Sequence, residues 1–130
     1  MKEHQSFVKV RYAETDQMGV VHHSNYLKYF ELARIDWLQS LDISYKWMEE
    51  NGVMLPVHKV ELSYKKPAQF DELLKVHVGL RKIPTVRIIF DYEITNENEE
   101  ILTTGMTELI FVDVQSRRPI KCPDYILARL

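Results

Sequence analysis

A carboxylate, a glycine and two histidines lie close together near the amino end of the chain. Asp16 and Gly19 stand in a turn-forming segment, and His22 and His23 follow shortly after them. A carboxylate can attack an activated carbonyl directly, or it can act as a general base for a water molecule. The segment therefore holds a group that could attack a carbonyl, provided that a nearby element stabilises the negative charge that develops on the carbonyl oxygen.

A helix that begins directly after the histidines supplies such an element. It is predicted to run to about Gln39 without an internal Gly or Pro, with Ser24 or Asn25 as its cap. The first amides of a helix have no internal partner, and the helix dipole adds partial positive charge there. A carbonyl oxygen held at that end is polarised, and removal of one such donor typically lowers a rate by about a hundred- to a thousandfold.

The same residues also allow plainer interpretations. Asp16 in a Thr-Asp turn, taken alone, is most often a turn or capping residue. His22 and His23 suggest a metal site, but adjacent histidines are expected to point in different directions, and only Asp16 falls at ligand spacing. We therefore expect no metal site here. The His23 side chain is expected either to orient Asp16 or a water, or to be a structural histidine.

Alternating apolar residues predict strands around this helix. The first strand is predicted from Phe7 to Tyr12, and a short second helix is predicted to begin after Ser44 and to end at Asn51 and Gly52. Four strands are predicted to follow, at about residues 58–65, 74–81, 86–94 and 101–113. Since the long helix is apolar on most sides, we predict one α+β domain over residues 1–130, with a curved antiparallel sheet wrapped around the long central helix.

Composition excludes several classes of protein. The chain of 130 residues has 17 basic and 19 acidic residues, a net charge of -2 and no long block of like charge, so nucleic-acid binding is disfavoured. Cys122 is the only cysteine, which suits a reducing compartment. No export signal or membrane span is expected, and the expected localisation is cytoplasmic.

A single curled sheet leaves free edges, which predicts a homodimer or larger homo-oligomer.

Nine residues of the opening segment resemble the signature of the hotdog-fold acyl-CoA thioesterases, and more narrowly the 4-hydroxybenzoyl-CoA thioesterase-like branch with its YbgC-type bacterial members. These residues are Asp16, Gly19, Val20, Val21, His23, Asn25, Tyr26, Glu31 and Arg34. The order of strands and helices also agrees, so the resemblance covers nearly the whole chain. It implies a hotdog fold, dimers that join their sheets edge to edge and frequently pair into tetramers, and active sites at the dimer interface.

The resemblance also implies an activity and site residues. The activity is hydrolysis of an acyl-CoA or aroyl-CoA thioester to the free acid and CoA, without a cofactor. Asp16 matches the catalytic aspartate, as nucleophile or general base, and the oxyanion donor is a backbone amide at or beside His23. Gly19 lets a substrate approach the backbone. Val20 and Val21 are expected to line the acyl pocket, and Tyr26 lies within reach of it.

Several questions stay open at this point. Lys65, Lys66 and Arg87 are assigned to the CoA phosphates from the available basic clusters. Glu31 and Arg34 are expected to form a structural ion pair. The rival functions are a non-catalytic hotdog module that binds acyl-CoA or acyl carrier protein, and a dehydratase acting on 3-hydroxyacyl thioesters, whose motif the segment does not resemble. The preferred acyl group and the choice between dimer and tetramer are not determined.

Overall fold

Five strands form one antiparallel sheet, and the longest helix packs against it. The computed structural model describes residues 1–130. The strands are β1 (Glu3–Lys9), β2 (Val53–Met54), β3 (Val57–Tyr64), β4 (Leu73–Leu80), β5 (Arg87–Thr95), β6 (Ile101–Ile110) and β7 (Val112–Asp113), and the helices are α1 (Tyr26–Ser40), α2 (Tyr45–Glu50) and α3 (Asp124–Leu127). The main sheet has the order β1-β4-β5-β6-β3, and β2 pairs with β7 separately. The predicted α+β arrangement is confirmed.

The apolar stripe of α1 forms the centre of the core, as predicted. Phe30, Ala33 and Trp37 are fully buried. The Phe30 ring stacks on that of Tyr92 in β5, with centroids 4.1 Å apart and an interplanar angle of 8°. The Trp37 ring meets that of Phe90 edge to face at 5.1 Å. Because these contacts hold α1 along the sheet, the position of its amino end is fixed.

None of the helices has the length and apolar composition needed to cross a membrane.

The first strand leaves the sheet earlier than predicted. Val8 and Val10 point inward as expected, but Tyr12 is 76% exposed and belongs to a 3-10 turn at Tyr12–Glu14. The physical reason is that the amide of Arg11 donates to the Glu14 carboxylate at 2.9 Å, which turns the chain away from the sheet. The segment that carries Asp16 is consequently a loop outside the sheet.

Asn25 is the N-cap residue of α1 by position, as predicted, but its side chain does not accept the expected capping hydrogen bond. A 3-10 turn at His23–Asn25 precedes the helix, and His22 is the capping residue of that turn, because its Nδ1 accepts from the amide of Ser24 at 3.3 Å. The Asn25 side chain is buried and donates instead to the carbonyl of Glu14 at 2.9 Å. Asn25 therefore makes no capping hydrogen bond to α1 through its side chain.

The second helix begins and ends as predicted. The Ser44 hydroxyl accepts from the amide of Trp47 at 3.2 Å. Gly52 follows the helix with φ of +88°, a conformation that favours glycine.

Strand β3, one of the two edge strands of the sheet, and two leucines of α1 are exposed in the single chain. Seven of the eight residues of β3 are exposed, and β3 pairs only with β6. Leu27 and Leu32 of α1 are 39% and 41% exposed. An unpaired strand edge and exposed leucines are each typical of surfaces that a second chain covers.

Packing of Phe30 requires a glycine beneath it. A Cβ at Gly105 in β6 would lie 2.5 Å from Cε2 of Phe30 and 2.8 Å from the backbone oxygen of Glu61. We expect Gly105→Ala to lower the free energy of unfolding by about 1–3 kcal/mol, since helix and sheet must move apart. Chemical denaturation measures this change.

Gly79→Ala in β4 is the matched control. A Cβ there meets only the flexible side chain of Glu3, with the nearest atom at 3.2 Å. Its effect on unfolding should be much smaller. Equal losses of stability in the two variants would contradict the close approach of Phe30 to Gly105.

Candidate active site

A polar cleft of about 310 Å³ lies where the amino end of α1 meets the carboxyl end of β3. Its lining consists of Asp16, Val21, His22, His23, Tyr26, Tyr64, Lys65, Lys66 and Pro67. Six residues that the sequence assigned to the site therefore share one cleft: Asp16, Val21, His23, Tyr26, Lys65 and Lys66. The fold brings together segments that are about forty residues apart in the sequence.

Asp16 is exposed and begins a tight turn. Its amide donates to the carbonyl of Val20 at 2.8 Å, and the amide of Gly19, whose φ is +77°, donates to the Asp16 carbonyl at 3.0 Å. Oδ1 of Asp16 accepts from the amides of Met18 at 2.8 Å and Val20 at 3.4 Å. The other carboxylate oxygen, Oδ2, accepts no hydrogen bond from the chain. Asp16 thus shapes its own turn and still has one oxygen free for chemistry.

The His23 amide is an unpaired donor at the edge of the same cleft. As the first residue of its 3-10 turn, His23 has an amide that donates to no acceptor in the chain. The two amides that follow are both satisfied, since Ser24 donates to Nδ1 of His22 and Asn25 donates to the carbonyl of His22. A free amide next to the start of α1 is suited to bind an oxygen that carries partial negative charge.

The two histidines do not point in different directions, and that expectation is wrong. Their ring centroids are 4.2 Å apart with an interplanar angle of 31°. The reason is that the His22 ring turns back to accept from Ser24, which brings it alongside the His23 ring. No group of three or more His, Cys, Asp or Glu residues is arranged to hold a metal ion.

Two tyrosines form an aromatic wall of the cleft. The buried hydroxyl of Tyr26 accepts from the amide of Ala68 at 3.2 Å, and burial raises the pKa of Tyr26. The Tyr64 ring meets that of Tyr26 at 5.4 Å, and its hydroxyl lies 3.5 Å from the carbonyl oxygen of His23. The sequence analysis did not assign Tyr64 to the site. Its position at the end of a predicted strand, directly before Lys65, was the signal available.

The cations assigned to CoA have different environments. Lys66 pairs with Glu100, and this contact lowers the pKa of the Glu100 carboxyl. The Lys65 side chain forms no ion pair or hydrogen bond within the chain, so its charge is available to a ligand. Arg87 does not line the cleft, because it lies at the start of β5 and donates to Glu108 at 3.0 Å.

Gly19 and Val20 also lie outside the lining of the cleft. Their backbones contact the loop that follows Lys66. Val20 forms an isolated β-bridge with Gln69, and the carbonyl of Gly19 accepts from the amide of Phe70 at 3.3 Å. The amide of Val21 donates to the carbonyl of Ala68 at 2.8 Å. These bonds hold the loop of Asp16 against the loop that follows Lys66.

Glu14 is a second residue that the sequence did not reveal. Its side chain is 8% exposed, and its carboxylate accepts from the amide and guanidinium of Arg11 and from the hydroxyl of Tyr29, the last at 2.8 Å. Burial acts to raise the pKa of Glu14, but the hydrogen bonds from Arg11 and Tyr29 hold this pKa below its usual value. The Arg-x-x-Glu spacing just before Asp16 was the available signal.

A second cavity, of about 290 Å³, is mostly apolar and shares no residue with the cleft. It is lined by Glu31, Arg34, Ile35, Leu38, Tyr45, Leu55, Val57, Ile88, Phe90 and Leu109. The expected ion pair is present, since Nη2 of Arg34 lies 3.6 Å from Oε2 of Glu31. The Arg34 side chain is only 14% exposed, so this cavity has one charged wall within an apolar lining.

Comparison with known proteins identifies the family. Residues 10–130 match the model of the Thioesterase-like superfamily. The Bacillus subtilis protein named "Putative acyl-CoA thioesterase YneP" is 38% identical over 114 residues, which cover 88% of this chain and 83% of that protein. The acyl-CoA thioesterase YbgC of Haemophilus influenzae is 29% identical over 122 residues, covering 93% of this chain and 89% of its own length.

A solved structure of a thioesterase has the same fold as this chain. The DHNA-CoA thioesterase of Staphylococcus aureus superposes with a TM-score of 0.91 and 39% identity, over 98% of this chain and 86% of that one. The predicted hotdog fold and the predicted class of thioester hydrolase are thereby confirmed. The chain belongs to the Thioesterase-like superfamily.

Proposed function

We propose that the protein hydrolyses an acyl-CoA or aroyl-CoA thioester to the free acid and CoA. The observation that carries this proposal is the placement of two groups on one cleft: the Asp16 carboxylate with a free oxygen, and the unpaired amide of His23. The names of the relatives from Bacillus subtilis and Haemophilus influenzae support CoA thioesters as the substrate class.

The reaction follows from the chemistry of these two groups. The thioester carbonyl oxygen accepts from the His23 amide, and the dipole of α1 stabilises the charge that develops on it. Asp16 either attacks the carbonyl carbon, so that the C–S bond breaks and water then hydrolyses the anhydride, or it takes a proton from an attacking water. In both routes the CoA thiolate leaves, and the acyl group departs as the free acid.

Replacement of Asp16 tests both routes. We expect Asp16→Asn to lower kcat by about a hundred- to ten-thousandfold, because an amide neither attacks the carbonyl nor accepts the proton. The side-chain oxygen of Asn can still accept from the amides of Met18 and Val20, so the melting temperature should change little. Steady-state release of free thiol from short, long and aromatic acyl-CoAs, and from acyl carrier protein thioesters, measures the rate.

Asp124→Asn is the matched control, since Asp124 is exposed on α3 and does not line the cleft. It should hydrolyse thioesters at the wild-type rate. Wild-type turnover in Asp16→Asn would refute the assignment of Asp16. Binding without turnover across the whole panel of substrates would favour the non-catalytic module that binds acyl-CoA or acyl carrier protein.

The cations beside the cleft are proposed to hold the phosphates of CoA. Because Lys65 has no partner in the chain whereas Lys66 pairs with Glu100, we expect Lys65→Ala to raise KM by about two- to fivefold with kcat unchanged. Lys66→Ala should raise KM less, because Lys66 is already neutralised by Glu100. Added salt should reduce the difference between Lys65→Ala and the wild type, since exposed charges are screened.

Lys46→Ala, on the exposed face of α2, controls for the loss of one positive charge. Arg87→Ala belongs in the same series, because Arg87 lies outside the cleft of its own chain and would act on CoA only from a partner subunit. If Lys46→Ala raised KM as much as Lys65→Ala, the effect would be one of net charge and not of a phosphate site.

We also propose that the protein is a homo-oligomer in which β3 pairs with its own copy. The exposed edge of β3 and the exposed Leu27 and Leu32 support this arrangement. A two-fold axis makes the two copies of β3 antiparallel. The carboxyl end of one β3, which carries the cleft, then lies toward the amino end of the other β3, where Val57 lines the apolar cavity.

Hydrogen exchange tests the use of this edge. We expect the β3 amides that do not bond to β6 to exchange slowly in the oligomer, because they bond to the second copy. Their protection should fall as the protein is diluted to the concentration at which sedimentation shows dissociation. A fully active monomer with rapidly exchanging β3 amides would contradict the proposal.

A further inference from the structure

Glu14 contacts both segments that carry the proposed reacting groups. Its backbone carbonyl accepts from the amide of His22 at 2.9 Å and from the side chain of Asn25 at 2.9 Å. His22 directly precedes His23, and Asn25 ends the turn that begins with His23. The position of the His23 amide is therefore fixed relative to the backbone carbonyl of Glu14.

Glu14 also fixes the position of Asp16, through the backbone pairs at the base of the Asp16 turn. Asp16 lies two positions after Glu14, and the intervening Thr15 forms an antiparallel bridge with Val21. The turn of Asp16 is thus closed at its base by the pairs Glu14 with His22 and Thr15 with Val21. If Glu14 moves, the base of this turn moves with it.

The side chain of Glu14 fixes that base to the core. Its carboxylate accepts from the Tyr29 hydroxyl at 2.8 Å on α1, from the Arg11 amide at 2.9 Å, and from Nε and Nη2 of Arg11 at 3.2 and 3.1 Å. Tyr29 itself is 3% exposed, and it lies one helical turn after Tyr26. A buried carboxylate with four donors has one stable position, since any other would leave donors or charge unpaired.

Glu14 does not line the cleft, so a substrate in the cleft would not touch it. We propose that Glu14 is a positioning residue, which sets the Asp16 carboxylate relative to the His23 amide through its contacts with Tyr29, Arg11, His22 and Asn25. This inference rests on the proposed function. It adds that the rate depends on a buried carboxylate separate from the one that reacts.

Two substitutions and their combination test the proposal. In Glu14→Gln the side-chain amide places a donor against the Arg11 guanidinium, and in Tyr29→Phe one hydrogen bond is removed. Misplacement of reacting groups by about 1 Å can cost about a hundredfold in rate, and we expect Glu14→Gln to lower kcat by about tenfold or more. Tyr29→Phe should lower kcat by a smaller factor. KM should stay within about twofold of the wild-type value in both, because the lining of the cleft is unchanged.

The double variant distinguishes a shared network from two independent effects. Because Tyr29 acts through Glu14, Tyr29→Phe should lower kcat little or not at all when it is added to Glu14→Gln. Full multiplication of the two single effects on kcat would contradict the proposed linkage. If Glu14→Gln does not fold, Arg11→Lys, which keeps the charge and loses the two-nitrogen contact, replaces it in the cycle.

A destabilised variant with an intact site separates positioning from stability. Ile126 on α3 is fully buried and lies outside the cleft, so Ile126→Val or Ile126→Ala, chosen to match the melting temperature of Glu14→Gln, should keep the wild-type kcat. The proposal is overturned if Glu14→Gln keeps its kcat, if its KM rises in parallel, or if the Ile126 variant loses as much activity. A wild-type protein that hydrolyses no thioester in the panel would overturn the proposed function and this inference together.

Discussion

Burial of α1 against the sheet is the constraint on which the rest of the structure depends. Phe30 is fully buried, its ring lies flat on Tyr92, and a Cβ at Gly105 would overlap it. Contacts this close leave the helix little freedom to slide or tilt. Since the amino end of α1 carries the oxyanion donor in the proposed mechanism, packing in the core also determines where a substrate carbonyl can bind.

The structure at the start of α1 determines which backbone amides are free to bind a substrate oxygen. A helix whose first amides are all capped offers nothing to a ligand. Here a 3-10 turn precedes the helix, and His22 satisfies the amides of Ser24 and Asn25 while that of His23 stays free. The capping residue that the sequence suggested, Asn25, is used to bind the buried carbonyl of Glu14. The local fold thus leaves one donor unpaired on a residue that lines the cleft.

Features that depend on local pattern were predictable from the sequence, and features that depend on distant partners were not. Strands β3 to β6 follow from alternation, the buried stripe of α1 follows from helical spacing, and the ends of α2 follow from Ser44 and Gly52. The short strand β2 was not predicted, and the strand predicted over 101–113 is divided into β6 and β7, because β7 leaves the main sheet to pair with β2. Tyr64 and Glu14 were missed because their roles come from contacts with His23 and Tyr29, far away in the sequence. Lys65 and Lys66 both line the cleft, but only the structure shows that Glu100 neutralises one of them.

The two carboxylates of the opening segment show why spacing alone does not assign a role. Glu14 and Asp16 are two residues apart, yet the Glu14 side chain is 8% exposed with four donors, whereas Asp16 is exposed with one oxygen unpaired. A carboxylate whose oxygens are all occupied is a poor nucleophile or base, because it must first break those bonds. A carboxylate with a free oxygen on the cleft has no such cost. In the proposed mechanism the same residue chemistry is therefore divided between holding the site and reacting in it, and burial decides which carboxylate has which role.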